Sequence, residues 1–339
     1  MSLLQASRKS GKLYLNPVPT KIGGFSLALK LLPQYLWNRE QTEPRRQLGP
    51  FPTDASVYTV PPASGLRVTW FGHSSSLIEI DGVRVLIDPV WDERASPLRW
   101  FGPKRFFAPT MPLAFLPPLD VVLISHDHYD HLGKATVRQL ARSQPAVRWV
   151  TSLGVGRRLR GFGVDPELIT ELDWTQSTVV AGLRIDCLPA RHFSGRSAWD
   201  RFTTLWSSFV LAGPQHRVYY GADSGYWEGL AEIAAQYDGF DLTMLEIGAF
   251  NELWAGIHLG PDGAARAFEA MGGNARAGLL MPIHWGLFNL ALHGWRQPIE
   301  RLTDVAREKN LGLWSPRPGE PTEVVTGQAV QSGWHLDKR

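Results

Sequence analysis

Between positions 126 and 131 the chain reads His126-Asp127-His128-Tyr129-Asp130-His131, three imidazoles and two carboxylates directly after the apolar run Val121-Val122-Leu123-Ile124 and Ser125. Crowding polar and ionisable groups against a buried strand is costly unless something binds them. A nitrogen and oxygen donor set of this kind suits zinc and also accepts iron or manganese. In an extended segment alternate side chains share a face, so His126 and His128 can grip one ion. A turn into a helix then redirects Asp130 and His131 toward a second. The alternative reading, a polar surface loop, does not explain such density beside a buried strand.

Two ions need further donors, and three candidates each follow an apolar run. His192 comes after Leu183–Leu188, Asp223 after Val218–Gly221, and His284 after Leu279–Ile283. A lone histidine in such a place is more often an ordinary hydrogen-bonded one. The repetition argues that several strand ends deliver donors to one edge of the sheets. Two zinc ions about 3.5–4 Å apart would ionise a shared water and offset charge on the oxygens of an in-line displacement, for which a phosphodiester is the natural substrate. Asp130 and Asp223 would fix the attacking hydroxide.

The elements that must position these groups are readable from periodicity. Short β-rich runs occur at Arg67–Phe71, Ser76–Ile80 and Arg84–Ile87, the last two joined by the turn Asp81-Gly82. Later strands are expected at 121–124, 148–151, 183–188, 208–211, 218–221, 242–247 and 278–282. Helices are expected at Lys134–Arg142, Trp227–Gln236, Asp262–Met271 and Pro298–Lys309, from apolar residues at three- and four-residue spacing. Strands and helices in this order imply an α/β fold with sheets covered by helices. Residues 1–65 read as an N-terminal arm with one short helix in the apolar stretch Gly24 to Trp37, and 66–339 as the main domain.

With 339 residues, 44% of them hydrophobic, the chain can bury a large core. Its 35 Lys and Arg against 32 Asp and Glu leave a formal charge of +3, too small an excess to argue for nucleic acid as a partner. Cys187 is the single cysteine, so no intrachain disulfide forms and no thiolate cage can hold the metal. The stretch Gly24–Trp37 is interrupted by Lys30 and Pro33 and is shorter than the roughly 20 residues of a membrane span. A cytoplasmic protein with peripheral contact at the membrane is the expectation. Most of the 14 tryptophans are expected in the core.

The metal-donor pattern resembles the signature of the metallo-β-lactamase superfamily. The flanking blocks Val68-Thr-Trp-Phe-Gly-His73, Leu86-Ile-Asp-Pro89, Gly102-Pro-Lys-Arg-Phe106, Gly221-Ala-Asp-Ser-Gly-Tyr226 and Ile283-His-Trp-Gly286 are similar to the N-acyl-phosphatidylethanolamine-hydrolysing phospholipase D branch. The resemblance runs from about Leu66 to about Leu311. It implies an αββα four-layer sandwich with His126, His128 and His192 on one zinc, Asp130, His131 and His284 on the other, and Asp223 bridging. It also implies a catalytic or substrate-contacting role for His258, in the block Trp254-Ala-Gly-Ile-His258. The substrate so implied is an N-acyl-phosphatidylethanolamine-type phospholipid. Asp127 stands where that branch usually has asparagine, which adds negative charge beside the metals without removing a donor.

Other residues carry weaker signals. His73 and Asp88 are candidates for orienting a metal ligand, or for ordinary turn positions. Arg94, Arg99, Lys104 and Arg105 lie in an aromatic loop that could meet phosphate headgroups or an anionic membrane, or could be a solvated loop with its rings tucked inward. Gly154-Val-Gly156 followed by Arg157-Arg158 lacks the glycine spacing and lysine of a phosphate loop and reads as a basic helix start. His131 favours phosphodiester or lactone hydrolysis over β-lactam hydrolysis, since it completes a second metal site. A nuclease, a lactonase, and a non-catalytic membrane-associated protein are the competing functions.

Overall fold

A computed structural model of the chain describes residues 2–23, 40–273 and 278–336. The arm helix expected between Gly24 and Trp37 lies outside the described residues. Near the start, β1 (Arg8–Ser10) and β2 (Leu13–Leu15) form a small antiparallel hairpin.

The first large sheet takes β3 (Leu66–Gly72), β4 (Ser75–Ile80), β5 (Val83–Ile87), β6 (Val121–Ile124), β7 (Arg148–Ser152) and β8 (Ile169–Leu172) in sequence order. The second is built from β9 (Ser177–Val180), β10 (Leu183–Pro189), β11 (Ser207–Ala212), β12 (Arg217–Tyr220), β13 (Leu242–Glu246) and β14 (Leu279–Ile283). In each, an antiparallel meander passes into parallel strands: β5, β6, β7 and β8 in the first, β12, β13 and β14 in the second. After β14, β15 (Trp314–Ser315) pairs with β17 (Val330–Gln331), and between them β16 (Thr322–Glu323) closes the first sheet against β3. Parallel strands need crossovers. They are supplied by α1 (Lys134–Ser143), α2 (Gly156–Phe162), α3 (Gly229–Tyr237) and α4 (Gly260–Ala270), with α5 (Gln297–Glu308) following β14. The helix expected from Trp227 begins two residues later, at Gly229; the basic segment at Gly156 is indeed helical.

Side-chain alternation sorts the first sheet between two cores. In β6, Val121 and Leu123 belong to the core facing the second sheet, while Val122 and Ile124 belong to an outer core with Val137 and Leu140 of α1 and Leu159 of α2. Each such aliphatic side chain contributes about 1.5–3 kcal/mol by leaving water. The inner core continues through the second sheet to Leu230 and Ile233 of α3, Phe268 of α4 and Leu302 of α5. The layers are therefore helix, sheet, sheet, helix. Leu4, Tyr14 and Phe51 are buried in this inner core as well. Among the described residues nine tryptophans, including Trp70, Trp149 and Trp314, are buried, whereas Trp100 and Trp199 stand in solvent.

The β4–β5 connection is a two-residue turn with both φ positive, 49° at Asp81 and 90° at Gly82, the geometry that follows the natural twist of a hairpin.

Candidate metal centre

All the sequence-predicted donors sit where strands end. His126 follows β6, His192 follows β10, Asp223 follows β12 and His284 follows β14. Beyond His128 the chain curls into a hydrogen-bonded turn, with His131 N and Leu132 N both donating to the His128 carbonyl, and α1 starts three residues past His131. That curl separates His126 and His128 from Asp130 and His131. Strained backbone gathers at the same edge: His73, Asp88, Ala222 and His284 are non-glycine residues at positive φ. Each costs about 1–3 kcal/mol and persists only where the surroundings enforce it.

The donors fall into two groups. In the first, His128 Nδ1 lies 2.9 Å from His126 Nε2 and 3.4 Å from His192 Nε2, and Asp223 Oδ2 lies 3.9 and 3.5 Å from those same Nε2 atoms. In the second, His284 Nε2 is 3.1 Å from Asp223 Oδ2 and 3.2 Å from Asp130 Oδ2. His131 Nε2 is 3.2 Å from Asp223 Oδ1 and 3.5 Å from Asp130 Oδ2. Donors bonded tetrahedrally to one cation at about 2.0–2.2 Å would stand about 3.3–3.6 Å apart, so both groups have suitable dimensions. Asp223 belongs to both.

Buried His131 Nε2 and Asp223 Oδ1 face one another without an aligned hydrogen bond. Burial opposes a charge on either residue, yet the carboxylates Asp223 and Asp130 raise His131 well above its ordinary range, and His131 with His284 lowers Asp223 well below the carboxylate range. The two carboxylates thus create a demand for positive charge at this point, which two cations would satisfy. Orphaned donors, paired carboxylates and matching spacings all fit a two-metal site.

A surrounding layer of hydrogen bonds fixes the rings. Asp88 accepts from His131 Nδ1 at 2.7 Å, and also from Tyr220 Oη and from the backbone N and Oγ of Ser125, so one carboxylate spans both sheets. His192 Nδ1 meets the Ile257 carbonyl at 3.0 Å, which leaves Nε2 as its donor atom. His73 Nε2 lies 2.9 Å from Asp130 Oδ2; burial and the neighbouring His284 charge lower His73 to about 4, so it stays neutral and donates. Backbone bonds from His73 N to the Trp285 carbonyl and from His284 N to the His73 carbonyl stitch the two sheets together here. The turn at His73 and the loop at Asp88 therefore both touch predicted donors.

His258 precedes α4 and lies 5.0 Å, ring to ring, from His192. Its Nδ1 meets Glu246 Oε2 at 2.5 Å. Glu246, the last residue of β13, is fully buried, also accepts from the backbone of Ser224 and Leu259, and has its pKa raised by burial. The sequence reading missed Glu246, although Leu242-Thr-Met-Leu-Glu246 repeats the pattern of an apolar run followed by a polar group. Asp127 departs from expectation. Its carboxylate is turned to Arg158 Nε at 3.2 Å and Gly195 N at 2.8 Å, so a guanidinium and an amide offset the charge expected beside the metals.

Both donor groups open into a cavity of about 290 Å³ whose walls include Ile22, Phe193, Trp254, Ile257 and Leu290. Of the basic loop residues, Arg105 is buried and donates to the Phe107 and Trp91 carbonyls, so it does not belong to a surface patch. Phe106 and Phe107 are tucked inward, while Trp100 and Phe101 are 76% and 65% exposed. Among the described residues no helix is long and apolar enough to cross a membrane.

A family model described as beta-lactamase superfamily domain matches residues 83–285. An uncharacterised protein of Mycobacterium tuberculosis is 47% identical over 274 residues, 81% of this chain and 73% of the relative. N-acyl-phosphatidylethanolamine-hydrolysing phospholipase D 1 of Caenorhabditis elegans is 34% identical over 258 residues, 72% of this chain and 71% of that one. Among solved structures, a metallo hydrolase from the archaeon Ignicoccus hospitalis shares the fold with a TM-score of 0.58 at 21% identity, covering 76% of this chain and 97% of that one. The chain is a metal-dependent hydrolase that belongs to the metallo-β-lactamase superfamily, in the branch of the N-acyl-phosphatidylethanolamine-hydrolysing phospholipases D.

Proposed function

We propose that this protein is a dinuclear phosphodiesterase of phospholipase D type, acting on an N-acyl-phosphatidylethanolamine-type phospholipid. The observation that carries the reading is that Asp223 lies within 4 Å of histidines of both donor groups and lines an apolar-walled cavity. His126, His128, His192 and Asp223 would hold one ion, and Asp130, His131, His284 and Asp223 the other. Zinc suits this set, with iron or manganese as alternatives. When bound, such a pair lowers the pKa of a shared water and offsets charge on phosphoryl oxygens.

The chain's own residues complete the chemistry. Asp130 and Asp223 stay ionised and orient the attacking water. Attack at phosphorus breaks the bond to the N-acylethanolamine oxygen, leaving phosphatidate. His258, whose Nδ1 donates to Glu246, acts as the imidazolium: its Nε2 proton passes to the departing oxygen, and the proton shed by the attacking water restores it. Phe193, Trp254 and Leu290 offer the apolar surface that acyl chains need. Exposed Trp100 and Phe101 beside Arg99 support peripheral contact with a lipid surface.

A lactonase is the second reading, favoured by the same apolar walls; a nuclease is disfavoured because Arg201 is the single Lys or Arg among the described cavity-lining residues. Product release from N-acyl and ordinary phosphatidylethanolamine, measured beside lactone opening with metal analysis of the same sample, separates them. N-acylethanolamine release that disappears in His126→Ala is expected. Lactone opening without lipid cleavage would reject the phospholipase reading.

A further inference from the structure

Four arginines stand around the donor groups, and the protein itself engages three. Arg196 Nη1 donates to the carbonyls of Asp127 and Leu132, each at 2.8 Å. Arg158 pairs with Asp127 and Asp200, and Arg191 donates to Thr20 Oγ1 and to the Tyr226 carbonyl. Arg201 differs. It lines the cavity, and among the described residues no oxygen accepts from its guanidinium, whose neighbours are the Phe193 ring at 5.0 Å and the Phe202 ring at 5.4 Å.

Aromatic faces steady a guanidinium without consuming its N–H edge, so the fork stays available to a ligand. The Phe193 ring in turn lies 4.6 Å from the His128 ring and 4.8 Å from that of His192. A single ring therefore separates Arg201 from two donors of the first group. A planar fork matches a pair of phosphoryl oxygens, and charge on those oxygens grows as water adds to phosphorus, so a cation here binds the transition state more strongly than the ground state.

We propose that Arg201 is the anion-recognising residue of the substrate site, taking charged phosphoryl oxygens and selecting phosphodiesters over uncharged esters and lactones. The proposal rests on the phosphodiesterase reading, but its anion-binding part can be tested apart from it. Metal-loaded wild type, Arg201→Gln and Arg201→Lys are titrated calorimetrically with phenylphosphonate, with metal content measured on the same samples. The ratio of kcat/KM for bis(p-nitrophenyl) phosphate to that for a lactone is then compared. Arg201→Gln is expected to weaken phenylphosphonate binding by about tenfold or more, with Arg201→Lys intermediate, and to lower the ratio by a similar factor at equal metal content. Equal phenylphosphonate affinity in wild type and Arg201→Gln overturns the proposal, whatever the activity. Should wild type cleave no phosphodiester while Arg201→Gln still loses phosphonate affinity, the anion site stands and the phosphodiesterase reading falls.

Discussion

Glu246 and His258 form the pair whose roles are most open to test at the level of single side chains. Glu246→Gln keeps the shape but gives His258 Nδ1 a neutral partner, so kcat should fall about 10–100-fold with metal content retained. His258→Ala should cost about 10²–10⁴-fold. Steady-state kinetics beside metal analysis checks both, and lost metal with unchanged turnover per bound ion would contradict the assignment. Protonation of the metal-free protein gives a second test. Burial lowers His284, but Asp223 and the bond to Asp130 outweigh it and push the residue up to about 10. Its contribution to stability is thus complete below about pH 6.5, its unfolded value, and is lost as pH climbs toward 10. His73, at about 4, acts oppositely: between about 6.5 and 4 the unfolded chain takes up a proton that folded His73 refuses, so stability falls as pH drops. Thermal unfolding of chelator-treated protein should show its highest midpoint near pH 6–7; a midpoint still climbing toward pH 9 would refute this. At this scale the sequence was informative where groups crowd, as at His126–His131. It was uninformative for Arg201, whose role depends on which arginines find partners in the fold.

Strand ends do the positioning, and their backbones approach closely. A Cβ at Gly248, just past β13, would overlap the carbonyl oxygen of His284 at the end of β14. Gly248→Ala should therefore shift His284, destabilise the protein by about 1–3 kcal/mol and reduce metal retention. Gly161→Ala is the contrast: that position in α2 has open space, and alanine there should stabilise by about 0.4–1 kcal/mol. Denaturant melts with metal analysis compare the two, and a Gly248→Ala protein with native stability and metal content would contradict the close-approach account. Strands buried on both faces, such as β6, were legible as continuous apolar runs. β8 and β9 were not, because Ile169-Thr-Glu-Leu172 and Ser177-Thr-Val-Val180 are half-exposed edge strands without such a run. Hairpin β1–β2, mostly exposed, gave no signal either.

At the scale of the whole molecule, two sheets of like topology press together so that parallel strands in each present their carboxyl ends at one edge, the usual place for a site in such sheets. Four segments spread from His126 to His284 meet there, and His73 and Asp88 lock the sheets across the seam. The repeated strand-then-donor pattern made that convergence readable in advance. Cross-sheet links such as Tyr220 to Asp88 were not readable, since nothing local in either segment announces the other. The central claim is that these seven side chains hold a pair of ions. X-ray absorption spectroscopy of the purified protein, with metal quantified per chain, addresses it most directly. The expected result is two ions per chain about 3.5–4 Å apart, coordinated by nitrogen and oxygen only, with occupancy falling in Asp223→Ala. Fewer than two ions at saturation, sulfur in the coordination shell, or full occupancy without Asp223 would contradict the account.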